Sequence, residues 1–268
     1  MAEYLLHSLS EFSPILEALL SAIRPRRVVE VGVESGCMST YLIDALRPWQ
    51  GEVVSIDPSL DKSLDEQLKR GHRILREKSV EALAKLDAAD LYLLDGDHNY
   101  YTVRNELELI DRAAGEQFPL VILHDVRWPC GRRDLYYAPD TIPEAARNGP
   151  VYRGVVRGQS ETVEGGFNGA GDFAFASWEG GPCNGVQTAI DDFREGRPHL
   201  RYRVIPVIFG LGILFDGRSS AAERIEEVVA PYHDNPFLAR MEENRLDLYL
   251  RVLELQEILI AQTEQADL

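Results

Sequence analysis

Residues 27–36 read Arg-Val-Val-Glu-Val-Gly-Val-Glu-Ser-Gly, a β-branched run that breaks into a turn bracketed by Gly32 and Gly36. The run Val28–Val31 has the composition of a strand buried in a parallel sheet. Cys37–Leu46 can follow as a helix. Glycines at such a strand-to-helix turn let a ligand approach the backbone without meeting a Cβ. The spacing Glu-x-Gly-x-x-x-Gly differs from the Gly-x-Gly-x-x-Gly dinucleotide fingerprint. Alone, an ordinary strand–turn–helix accounts for it. The strands that follow narrow the choice.

Val53–Ile56 reads as a second strand ending in Asp57-Pro58. A carboxylate at that place accepts two hydrogen bonds from a ribose diol, although Asp equally suits a helix N-cap. A third strand near Arg73–Arg76 leads to Lys78-Ser79, and a fourth, Ala89–Leu94, ends in Asp95-Gly96-Asp97-His98. The fifth, Leu120–Leu123, ends in His124-Asp125. Open α/β sheets bind ligands at the C-terminal ends of their strands, and here each strand delivers polar residues there. Asn99–Ala114 carries Val103, Leu107 and Ile110, the pattern of a helix packed on the sheet. Arg201–Val207 and Gly210–Phe215 read as two closing strands, antiparallel about Phe209-Gly210.

A chain of 268 residues with 45% hydrophobic content can bury a full core, and one domain is the first expectation. Its 28 basic and 44 acidic side chains leave a formal charge of −16, which makes nucleic acid a poor partner. Cys37, Cys130 and Cys183 have neither metal-ligand spacing nor even parity, and fit a reducing compartment. No signal sequence is apparent, and no apolar run approaches the roughly 18 residues that span a membrane. A cytoplasmic protein without membrane association is expected.

Residues 1–26 read as a helical lead with a helix start at Pro14, and 27–218 as the main domain. Within it, 126–182 loses all periodicity and is dense in Gly, Pro, Arg and aromatic residues. A segment of this kind inside a compact domain is a lid or substrate wall, or else a packing flap. Asn184 is a candidate cap for a helix through Arg194. The tail 219–268 reads as helix, interrupted near Pro231 and Pro236. Met241, Leu248, Val252, Leu255 and Leu259 form one stripe along it, and Leu246, Leu250, Leu253 and Ile260 another. A helix apolar on two faces wants more than one partner surface, through homo-oligomerisation or docking on its own domain.

Val-Glu-Val-Gly-Val-Glu-Ser-Gly (29–36), Ser-Ile-Asp (55–57), Asp-Gly-Asp-His-Asn-Tyr-Tyr-Thr-Val (95–103) and His-Asp-Val (124–126) together resemble a class I S-adenosylmethionine-dependent methyltransferase. The likeness is to the metal-dependent sugar O-methyltransferases related to macrocin O-methyltransferase and to cephalosporin-hydroxylase-like proteins. It covers residues 27–126 and extends through Glu-Gly-Gly-Pro-Cys-Asn-Gly-Val (179–186). The resemblance implies a Rossmann-like, seven-stranded, mostly parallel sheet with helices on both faces and the last strand antiparallel. It implies that Glu30, Gly32 and Gly36 shape the pocket for the amino-acid end of S-adenosyl-L-methionine. Asp57 would take the ribose, Ser79 would sit by the adenine, and Asp95 would lie at the junction of cofactor and metal. Related chains bring Ser-Thr to the helix after the glycine turn one residue earlier than Ser39-Thr40 stand here, so Ser39 is a cofactor candidate out of register.

Methylating an alcohol requires removing its proton as the oxygen attacks a sulfonium methyl. A divalent cation on that oxygen lowers its pKa, and a nearby base completes the transfer. Asp95 and Asp125, with Asp97 as a third candidate, offer oxygen ligands suited to Mg²⁺ or Mn²⁺. His124 is favoured as the base, with His98 and Asp97 competing for the task. Trp128, Arg132, Arg133, Tyr136 and Tyr137 are candidates for the substrate wall, on which a glycoside or saccharide would stack. Two other readings stand beside this one: a cofactor-binding or oligomerising partner without catalysis, and an NAD-dependent oxidoreductase. The first need not keep the Asp95/Asp97/Asp125 set, and the glycine spacing disfavours the second.

Overall fold

The computed structural model describes residues 6–62 and 72–266, so the first five residues of the helical lead and the last two of the tail lie outside the described residues. In chain order it holds α1 (Ser13–Ile23), β1 (Arg27–Val31), α2 (Cys37–Leu46), β2 (Glu52–Ile56), β3 (His72–Leu75) and α3 (Ser79–Leu83). There follow β4 (Leu91–Leu94), α4 (Tyr100–Ala114), β5 (Leu120–Leu123), β6 (Leu135–Tyr136), β7 (Pro150–Val151) and β8 (Ala174–Ala176). The chain closes with α5 (Val186–Arg194), β9 (Leu200–Ile205), β10 (Leu211–Asp216), α6 (Ala222–Val229) and α7 (Pro236–Ala266).

Seven strands form one sheet in the order β3-β2-β1-β4-β5-β10-β9, a Rossmann-like arrangement. Neighbours among β1 to β5 pair in parallel, and β10 runs antiparallel to both β5 and β9. Successive side chains point to opposite faces. Val28, Val53, Leu91, Leu93, Leu120 and Ile122 pack against α1, α2 and α6. Val29, Val31, Val54, Tyr92, Leu94, Val121 and Leu123 pack against α3, α4 and α5. Covering both faces is why the central strands read as unbroken apolar runs. Strand order reverses between β1 and β4, which opens the crevice at their C-terminal ends. Among the described residues no helix is long and apolar enough to cross a membrane.

The aperiodic segment 126–182 is not wholly irregular. It holds a small antiparallel sheet in the order β6-β8-β7, whose strands of two or three residues are too short to show a period. Asp134 ties this insertion to the main sheet from a fully buried position. Its Oδ1 accepts the N–H groups of Tyr100 (2.6 Å) and Gly185 (2.7 Å), the starts of α4 and α5. Its Oδ2 accepts from the Tyr136 hydroxyl (2.6 Å) and the Asn148 amide (2.7 Å). Asn184 does not cap α5. Gly185 occupies the N-cap with φ 91°, and Asn184 instead accepts the Asp134 N–H at 2.7 Å.

Removing the Asp134 carboxylate leaves four donors without their acceptor in the interior. Asp134→Ala should therefore lose about 3 kcal/mol or more of stability by urea unfolding. A loss under about 1 kcal/mol would mean that the insertion is not held through this residue.

Candidate active site

The glycine turn leaves β1 and passes against the end of β4. Gly32 sits at φ 86°, and a Cβ there would lie 2.1 Å from the Asp95 carbonyl oxygen, so no other residue fits. Gly36, at φ 76°, is the N-cap of α2. Asp57 straps the turn: its Oδ2 accepts the Val33 N–H at 3.0 Å and its Oδ1 the Ser59 N–H at 2.8 Å. Both oxygens keep acceptor capacity toward the crevice.

Glu30 and Ser39 lie behind the turn rather than on the pocket surface. Both are buried, and the Glu30 Oε2 accepts from the hydroxyls of Ser39 (2.5 Å) and Ser55. Among the described residues the Glu30 Oε1 has no hydrogen-bond partner. Burial pushes the Glu30 carboxyl up to about 7, Ser39 and Ser55 oppose this, and Asp95 and Asp57 add to it. Ser79, at the first turn of α3, is buried and bonded to Glu106 of α4. Burial lifts Glu106 to about 8, against the Ser79 hydrogen bond and with the help of Asp97.

Asp95, His98 and Asp125 gather at the ends of β4 and β5, with one ligand atom from each within 4.8 Å of the others. This donor set of two carboxylates and an imidazole fits a divalent cation. The His98 Nε2 stands 3.5 Å from the Asp125 Oδ2. Asp97 turns the other way: its Oδ2 accepts from Asn99 (2.5 Å) and Thr102 (3.0 Å) at the start of α4. His98, rather than Asp97, thus joins Asp95 and Asp125 in the cluster.

His124 is buried with both ring nitrogens engaged. Nδ1 lies 3.0 Å from the Asp95 Oδ1 and 3.3 Å from the Asp125 Oδ2, and Nε2 lies 2.8 Å from the Ile208 carbonyl oxygen. All three are acceptors, so both nitrogens carry protons. Burial disfavours the charged ring, but Asp95 and Asp125 outweigh it and hold His124 well above its usual range. With Nδ1 turned to the two carboxylates and Nε2 to a backbone carbonyl, neither nitrogen of His124 faces open space. Burial also acts against the charge of Asp125, and His98, His124 and His7 reverse it, keeping Asp125 below the usual carboxylate range. His7, ahead of α1, carries no sequence signal linking it to the fifth strand; only the fold brings it to Asp125.

The expected substrate wall separates into framework and surface. Arg133 is buried and donates to the Ala176 (2.8 Å) and Ser160 (2.7 Å) carbonyls. Arg132 binds Asp191 at 2.6 Å and Thr188 at 3.0 Å, and Tyr136 is buried on Asp134. These three build the insertion instead of facing the site. Tyr137 does face it, with its half-exposed ring edge-on to His98 at 5.9 Å. Burial, then Asp125, Asp95, Cys130 and Asp97, push its hydroxyl well up. Phe173, absent from the sequence reading, meets Tyr137 at 6.1 Å and joins Phe167, which reaches Trp128 at 6.0 Å. Beyond Phe173 lies an open cleft of about 260 Å³, lined by Tyr152, Arg153, Glu164 and Asn168 among others.

Residues 29–126, which carry the glycine turn and both acid-bearing strand ends, match a family model described as "Methyltransferase domain". No curated protein matches the chain. Among solved structures, an SAH-bound methyltransferase of Podospora anserina, PaMTH1, is 14% identical, with 76% of this chain and 77% of that one covered at TM-score 0.45. An O-methyltransferase of Bacillus cereus in complex with SAH is 14% identical, with 78% and 83% covered at TM-score 0.47. TomG of Streptomyces achromogenes, an O-methyltransferase involved in tomaymycin synthesis and bound to SAM, is 17% identical, with 78% and 81% covered at TM-score 0.46. Likenesses this low carry no argument about activity.

Glu30 and Glu106 make stability pH-dependent. The unfolded chain releases both protons from roughly pH 4.5 upward, whereas the folded chain holds them to about 7 and about 8. Over that window the folded state binds more protons, so stability falls as pH rises. Urea midpoints taken from pH 5 to 8 should decline, and less steeply in Glu106→Gln, which removes the titration while keeping the shape. An identical slope in the variant would mean that Glu106 is already ionised at pH 5.

Proposed function

We propose that the chain is an S-adenosylmethionine-dependent O-methyltransferase that uses a divalent cation and acts on a hydroxyl of a saccharide or glycoside. One observation carries the reading. Asp95 belongs to both halves of the site: its backbone closes on Gly32 at the glycine turn, and its carboxylate joins the His98 and Asp125 cluster. A methyl donor seated on the turn and a hydroxyl seated at the cluster would meet beside this one residue.

Asp57 would bind the ribose diol, and the bare backbone at Gly32 admits the amino-acid end of the cofactor. Glu30 and Ser39 support that turn from beneath, and Ser79 borders the adenine. Bound S-adenosylmethionine supplies an electrophilic methyl, and the cation lowers the pKa of the hydroxyl. Asp95 and Asp125 hold the ion as hard oxygen ligands. His98 takes the hydroxyl proton, since its Nε2 faces the same point as both carboxylates. His124 is a positioning residue whose charge keeps the two carboxylates ionised and fixed.

Tyr137 and Phe173 would form the acceptor wall, with Trp128 behind them through Phe167. A saccharide is favoured because flat rings stack on sugar faces, and because the cleft past Phe173 offers Tyr152 beside Arg153, Glu164 and Asn168.

A methyl-transfer assay with a glycoside panel tests the reading. Chelation should abolish turnover reversibly, and Asp125→Asn should do so permanently. His98→Ala should still bind Mn²⁺ by calorimetry while losing about 10²–10⁴-fold in rate. Loss of Mn²⁺ binding in His98→Ala would make His98 a ligand instead. A wild type that turns over unchanged in chelator would remove the cation from the mechanism.

Cofactor affinity is a separate readout. Asp57→Ala should bind S-adenosylmethionine at least several-fold more weakly, since the ribose loses charge-assisted hydrogen bonds worth about 1.5–3 kcal/mol. Unchanged affinity would place the ribose elsewhere.

A further inference from the structure

The tail helix α7 has two apolar faces, and the other described residues cover only one. On the covered face Leu246 is buried, Glu242 accepts the Phe209 N–H at 3.0 Å, and Tyr249 meets Phe167 at 6.2 Å. Beside them Arg157 pairs with Asp247 at 2.5 Å. Among the described residues nothing covers the opposite face. Met241, Leu248, Val252, Leu255 and Leu259 are 54, 60, 48, 49 and 63% exposed, with Phe237 and Ile258 open beside them.

From Leu248 the spacing is that of a heptad seam, with Leu248 and Leu255 at one repeat position and Val252 and Leu259 at the other. One turn earlier Arg245 is engaged with Glu242 and with the Phe209 ring, so the seam proper begins at Leu248. The seven exposed side chains offer on the order of 700 Å² of apolar surface, near the roughly 800 Å² per partner of a standard interface. A lone chain seldom exposes a patch this large.

We infer that a second copy of this chain covers this face, the two α7 helices pairing in parallel about a twofold axis. A straight seam is complementary to its own copy, which is the requirement of an isologous contact. Leu248 and Leu255 at one core position, with the β-branched Val252 at the other, favour two parallel strands. The chain carries a formal charge of −16, yet the rim of the seam does not repel its copy. The positions flanking the core carry Tyr249, Arg251, Gln256 and Ile258, and Arg251 pairs with Glu254 of its own helix at 2.5 Å. A lipid surface suits the face less well: interfacial helices are rich in Lys and Arg on their polar side, and here Glu243, Asp247 and Glu254 interrupt the arginines. The pairing bears on the site as well. Arg245 of α7 lies over Phe209 at 4.8 Å and holds the Leu6 carbonyl at 2.7 Å, next to His7. Ile208, the neighbour of Phe209, receives the His124 proton. Bracing α7 therefore braces the segments over the acid cluster. None of this depends on the methyltransferase reading.

Sedimentation equilibrium of the full chain should give a dimer at roughly 10 µM. Leu248→Glu/Leu255→Glu should sediment as a monomer with wild-type far-UV circular dichroism. A wild type that is monomeric at that concentration, including one that instead floats with phosphatidylcholine vesicles, overturns the inference. So does a double variant that stays dimeric. If the double variant fails to fold, Val252→Cys in a Cys37→Ser/Cys183→Ser background decides. In-register parallel helices should join through the residue 252 thiols on air oxidation, and absence of the cross-linked dimer on a non-reducing gel contradicts the pairing.

Discussion

Asp95 and Asp125 converge on the C-terminal ends of β4 and β5, and the buried His124 ring stands between them. His124 places a proton on each nitrogen, one toward Asp95 and Asp125 and the other toward the Ile208 carbonyl. It brings positive charge into a place where two carboxylates would otherwise repel each other with little water to screen them. The third contact matters as much as the first two. Ile208 belongs to the turn between β9 and β10, so the charge network pins the antiparallel end of the sheet to the parallel part. The site and the closure of the fold share one interaction.

The glycine turn is the second constraint. Because β1 and β4 are neighbours, the chain leaving β1 must cross the end of β4 at backbone distance, and Gly32 makes that crossing by having no side chain. The same absence leaves open backbone toward the crevice. Stability and ligand access thus ask for the same residue, which is why the turn stands out in the sequence. Glu30, by contrast, keeps an unpaired buried oxygen and a raised pKa behind that turn. Such a group is unfavourable to the fold, and it is carried behind the turn rather than on the pocket surface.

What could be read from the residues alone follows from how strongly each is constrained locally. The strands β1, β2, β4 and β5 are buried on both faces, so their apolar runs were legible, as were the acids that follow them. The two stripes on the tail helix were legible too, and Leu246 against Leu248 shows that the periodicity separated a covered face from a bare one. The strands β6, β7 and β8 were not, because two or three residues carry no period. Nor does a loop such as Asp-Gly-Asp-His announce which side chain turns inward: Thr102 and Asn99 draw Asp97 toward α4, leaving His98 to the cluster. Arg133 and Tyr136 misled for a related reason. A segment rich in Arg and Tyr has the composition of a substrate wall, yet Asp134 and the carbonyls of the insertion use these same groups as internal scaffolding. His7 and Phe173 were invisible because only the tertiary fold brings them to the site.

The central claim is that a cofactor pocket and a cation site meet at Asp95, and their coupling is directly measurable. Mn²⁺ would be titrated calorimetrically into the chain, first alone and then saturated with S-adenosylmethionine. The cofactor would then be titrated with and without Mn²⁺. The account requires one site per chain for each ligand and a shift in Mn²⁺ affinity that the reciprocal titration reproduces by the same factor. Failure of either ligand to bind, or affinities for each that ignore the other, would contradict it.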